Sequence, residues 1–78
     1  MTNLERYNEV FTSSLEVSED SLEGLKYQAV SNWDSVGHMN LMATLEEAFD
    51  IMMDTDDIID FSSYKIGKEI LKKYDVEI

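Results

Sequence analysis

The sequence predicts an all-α fold, a small antiparallel bundle of three main helices plus one short helix. Three observations lead there. Apolar residues recur at three- and four-residue steps in separate stretches, the spacing of one helix face. Residues that cap helices stand at the start of each stretch. The chain contains no proline to break one, and its 78 residues suit a single domain, 1–78.

In the first stretch Leu4, Tyr7, Val10, Phe11 and Leu15 form one apolar stripe, and Thr2 with Glu5 has capping-box spacing. A first helix over about Asn3 to Leu15 follows. Residues Glu16 to Trp33 read as a long connection in which Ser18, Ser21, Gly24, Ser31 and Asn32 interrupt any period. Val17, Leu22, Leu25, Tyr27 and Trp33 are spaced along it as anchors, so a loop packed by its own side chains is expected, with a short helical turn. The second helix starts at Asp34 or Ser35, both good caps, and runs to about Asp50. The run Asp54 to Asp60 has caps but little length, which gives the short helix. Ser62 or Ser63 caps a last helix with Ile66, Ile70, Leu71 and Tyr74 on one stripe.

Composition excludes several kinds of chemistry. There is no cysteine, so no disulfide, thiolate metal site or cysteine nucleophile, and one histidine, His38, cannot build a multi-histidine metal centre. The longest aliphatic run, Ile51-Met52-Met53, falls far short of the roughly 20 apolar residues of a membrane span. The N-terminus lacks the basic-then-apolar pattern of a secretory signal. A soluble, cytoplasmic monomer with no membrane insertion is the expectation. Net charge is −11, and no lysine or arginine lies between Tyr27 and Tyr64. Phosphate repulsion therefore argues against a nucleic-acid partner. An acidic face instead steers basic partners toward it.

The second helix carries two stripes. Leu41, Met42, Leu45, Ala48 and Phe49 form the core face. On the opposite side Val36, Met39 and Ala43 align at i, i+3 and i+7, with Glu46, Glu47 and Asp50 around and beyond them. A helix serving only its own core shows polar residues on that side. The pattern suggests a docking strip, an apolar centre with an acidic rim, from which both glutamates are expected to project outward.

Ser35 stands at the end of the same strip. A serine there is most often a cap. The residues around it point further: Asp34-Ser35-Val36, then Met39, Leu41, Met42 and Leu45-Glu46-Glu47-Ala48-Phe49. This run resembles the signature of the acyl carrier protein family, Asp-Ser-Leu followed by an amphipathic helix ending in Leu-Glu-Glu-x-Phe. The likeness extends over nearly the whole chain, from the first helix through the long loop to Ser62-Ser63-Tyr64.

That resemblance implies an acyl-carrier-protein-like bundle. It implies 4′-phosphopantetheine from coenzyme A joined to Ser35 by a separate phosphopantetheinyl transferase, with Asp34 as the neighbouring acid. Glu46 and Glu47 match the acidic pair on the family's recognition helix, and the partners implied are basic-surfaced enzymes that load and process an acyl or aminoacyl thioester. Trp33 before Asp34 looks more like discrete or modular carriers of specialised pathways, including polyketide, nonribosomal-peptide and surface-glycan ones, than like housekeeping fatty-acid carriers, and Val36 in place of the usual leucine or methionine is a small change in size. The carrier itself needs no catalytic residue.

Three other readings compete. Ser35 and His38 are three residues apart on a helix and could touch, as in a hydrolase, but an oxyanion site and a water-excluding pocket are also required. The acidic run from Asp54 fails the calcium-loop pattern at Ile58, Ile59 and Lys65, and no metal site is expected. A small acidic helical adaptor without a prosthetic group is the third.

Overall fold

The computed structural model describes residues 2–78, and among these it is all-helical. Four α-helices follow in order, α1 (Asn3–Leu15), α2 (Ser35–Phe49), α3 (Thr55–Asp60) and α4 (Tyr64–Lys72), with a single 3₁₀ turn at Glu19–Ser21 in the long loop. No helix among the described residues is long and apolar enough to cross a membrane. α1 begins on a complete capping box: Thr2 Oγ1 accepts from the Glu5 amide and Glu5 Oε1 accepts from the Thr2 amide. It ends at Glu16, whose left-handed backbone (φ 56°) stops the helix, and the Asn32 amide group donates to the freed Leu15 carbonyl. Ser63, the second of the two expected caps, starts α4 by accepting from the Ile66 amide.

α1 and α2 pack directly against each other. The core between them is unusually aromatic. Tyr7, Phe11, Trp33, Phe61 and Tyr64 are all buried. Phe11 lies at its centre, edge-on to Trp33 (5.6 Å) and Tyr64 (5.3 Å) and stacked with Phe61 (6.2 Å). The Tyr7 hydroxyl donates to the Tyr64 carbonyl at 2.6 Å, and burial pushes that hydroxyl far above the ordinary tyrosine range. Leu22, Leu25 and Trp33 bury as anchors, with Val17 and Tyr27 half-buried, so the long loop is packed. Its middle is tied to the start of α4 by two backbone bonds, Tyr27 N–H to the Ser62 carbonyl and Tyr64 N–H to the Leu25 carbonyl.

Not every residue of the expected stripes is buried. Leu4 is 40% exposed and Ile66 44% exposed. Gly67 takes the place facing the core in that turn of α4. A Cβ there would collide with the Phe61 ring and the Tyr7 hydroxyl, so only glycine lets α4 approach this closely. Ala48 and Phe49, at the end of α2, are half-buried instead of core.

α3 is held largely by polar contacts. Its one buried residue is Asp57, whose carboxylate accepts from Lys73 Nζ and from the Tyr74 hydroxyl, each at 2.5 Å. Tyr74 Oη in turn accepts from the Asp54 amide at the start of α3. The Lys73 ammonium, with the Tyr74 hydroxyl, holds the Asp57 carboxyl below the ordinary aspartate range.

Two outcomes follow. Gly67→Ala is expected to destabilise by about 1–3 kcal/mol through overpacking, read as a lower urea midpoint at unchanged slope. Asp57 has a folded pKa below its unfolded one, so its contribution is present above roughly pH 4 and lost as pH falls through the folded value. The thermal midpoint of Asp57→Asn should therefore lie below that of wild type at neutral pH and converge with it as acidification carries the pH down through the folded value. Asp56→Asn, at an exposed position, controls for the lost charge and should show no such convergence.

Candidate functional site

The start of α2 is built by Asp34, Trp33 and His38. Asp34 is the N-cap, and its Oδ1 accepts from the Gly37 amide at 2.8 Å. Gly37 is required there because a Cβ would run into the carbonyl of Asn32, which folds back over the first turn. Ser35 is thereby the first residue of the helix and is exposed. Its hydroxyl makes no hydrogen bond among the described residues. Capping is Asp34's task, and the serine oxygen is left free.

One residue back, Trp33 is fully buried. A buried indole N–H needs an acceptor, and it finds His38 Nδ1 at 2.9 Å. His38 Nε2 contacts the Ile58 carbonyl at 2.8 Å. Trp33 Nε1 can only donate and the carbonyl can only accept, so Nδ1 carries the lone pair and Nε2 the proton. The relay Trp33–His38–Ile58 joins the loop, α2 and α3. With both ring nitrogens engaged, His38 has none to offer Ser35, which removes the geometry of a serine–histidine pair.

The residues of the expected docking strip divide. Val36 is 68% exposed and Met39 57%, and Ala43 is exposed beside them. Glu46 and Glu47 do not share a role. Glu46 is half-buried, and its Oε2 accepts from the amide of buried Met53 at 2.8 Å, closing the turn after α2. The expectation that both glutamates project outward is corrected for Glu46: one helical step of about 100° turns it toward the α2–α3 connection. Glu47 is exposed and borders an open groove with Arg6, Glu9 and Thr44 on the α1 side. Asp50 is exposed and ends α2 in a left-handed conformation (φ 53°).

Two exposed apolar residues were not foreseen as part of this surface. Ile59 is 71% exposed and Met52 85%. A signal for Ile59 existed: Ile58 and Ile59 are adjacent on a six-residue helix, so both cannot face inward. Tyr27, Ser35, His38, Met39, Ile58 and Ile59 all border one cavity of about 340 Å³ between α2 and α3.

No family model, curated protein or solved structure matches the chain. The site's chemistry therefore follows from its own geometry. An exposed hydroxyl sits at the positive end of a fifteen-residue helix, where a phosphate ester is electrostatically tolerated. Those residues fit a phosphodiester-linked group.

The division of the acidic pair has a measurable result. Glu46→Ala should cost about 1–3 kcal/mol in denaturant unfolding, because the buried Met53 amide loses its acceptor. Glu47→Ala should stay within about 0.5 kcal/mol of wild type.

Proposed function

We propose that the chain is an acyl carrier protein, with Ser35 as the residue to which 4′-phosphopantetheine is attached and the helices arranged in the antiparallel bundle of that family. The observation that carries this reading is the separation of tasks at the head of α2. Asp34 caps the helix, and the Ser35 hydroxyl is exposed and unbonded among the described residues. A serine present only to start the helix would hold the cap bond itself.

The chain's part in the attachment is to present a nucleophile to an external transferase. Ser35 Oγ would attack the phosphorus that bears the pantetheine in coenzyme A, the pyrophosphate P–O bond breaking as the phosphodiester forms. The serine proton would pass to the transferase, and 3′,5′-adenosine diphosphate would leave. Once attached, the arm supplies a thiol, which the chain lacks, as the place where an acyl or aminoacyl group is carried. Tethering then raises the effective concentration of that group at each partner's active site. Exposed Val36, Met39 and Ala43 offer a small apolar contact, and Glu47 and Asp50, with the acid-rich segment between Tyr27 and Tyr64, attract basic surfaces. Such an interface suits partners that must release the carrier quickly.

Intact-mass spectrometry tests the assignment. Incubation with coenzyme A, magnesium and a broad-specificity phosphopantetheinyl transferase is expected to add one phosphopantetheine to the wild type and none to Ser35→Ala. Glu47→Lys with Asp50→Lys should slow that addition while helical circular dichroism is retained. An unchanged wild-type mass with several transferases would replace the carrier with the small acidic adaptor.

A further inference from the structure

The surface beside Ser35 bears on what the arm carries. Ser35 borders the cavity between α2 and α3, so a flexible group tethered to it is held at high local concentration against those walls. In a chain of net charge −11 the cavity is an exception: no aspartate, glutamate, lysine or arginine contributes to its lining. Met39, Ile58 and Ile59 present apolar side chains there, and the ring nitrogens of His38 are engaged by Trp33 and by Ile58. The volume, about 340 Å³, lies at the small end of ligand cavities, which run from about 300 to 1,000 Å³.

Depth is limited as well. Phe61, which lines the cavity, is buried and stacked with Phe11, and Trp33, bonded to the lining residue His38, is buried edge-on to the same ring. A long chain could enter the bundle only by displacing close-packed aromatic rings. A charged terminus would lose its hydration against walls that offer no counter-ion.

We infer that the cargo is a short, uncharged acyl group that folds back into this surface cavity against Met39 and Ile59, and that long acyl chains are not housed within the bundle. This rests on the carrier reading and names the substrate class of the same site.

The absence of cysteine allows a test independent of any transferase. In Ser35→Cys the new thiolate is the sole one, and it displaces iodide from an iodoacetamide-linked pantetheine arm to leave a thioether. Four arms are compared: bare, butyryl-ended, carboxylate-ended and dodecanoyl-ended, each through a stable amide. Methyl NMR is the readout. The butyryl arm is expected to shift Met39 and Ile59 resonances beyond the bare arm, and the carboxylate arm is not. The dodecanoyl arm should leave the core methyls of Leu41, Leu45 and Leu71 in place. Ile59→Ser in the same background should abolish the butyryl-dependent shift at Met39.

Core shifts with the dodecanoyl arm would overturn the inference. Equal effects of the butyryl and carboxylate arms, or no butyryl effect, would do so too. Because alkylation does not depend on recognition by a transferase, these outcomes are separable from a failure of wild-type loading, which would reject the carrier reading itself.

Discussion

Burying the Trp33 indole imposes a condition on everything around it. Its N–H must be satisfied away from water, and the acceptor used is His38 Nδ1, on the first turn of α2. That choice puts the His38 proton on Nε2, which then needs an acceptor of its own and meets the Ile58 carbonyl on α3. Two hydrogen bonds thus set how the loop, α2 and α3 converge. The Asp34 cap and the close passage of Asn32 over Gly37 complete the junction. Ser35 is displayed where these constraints meet, on the first turn of α2. A site presented this way keeps its position relative to the helix that would guide partners.

Much of this was legible in the chain. Helix limits followed to within a residue from caps and apolar spacing because those signals act locally: Thr2 with Glu5 was readable outright, while Asp34 or Ser35 and Ser62 or Ser63 were equal candidates until the structure chose Asp34 and Ser63. The loop anchors Leu22, Leu25 and Trp33 were readable because large apolar residues in a polar stretch have few places to go but inward. The exposure of Val36 and Met39 followed from the second stripe on α2.

What was not legible depends on partners distant in sequence. Asp57 looks like one acid among many in its run, and its burial comes from Lys73 and Tyr74, 16 and 17 residues away. Glu46 and Glu47 look equivalent, and only the path of the chain after α2 gives Glu46 the Met53 amide. The exposure of Ile66 follows from Gly67, whose missing side chain admits Phe61 and Tyr7. Periodicity alone ranks an isoleucine above a glycine for a core position, and here the close approach of two elements reverses that order.

Trp33 is the only tryptophan in the chain, and it lies at the junction that displays the serine, its ring stacked near His38 at 6.2 Å between centroids. The molecule consequently carries its own optical probe at that junction. Any event that pries α3 from α2 breaks the bond between His38 and the Ile58 carbonyl, loosens the imidazole beside the indole and admits water to it, and the emission colour and yield of that single fluorophore register the opening without an added label.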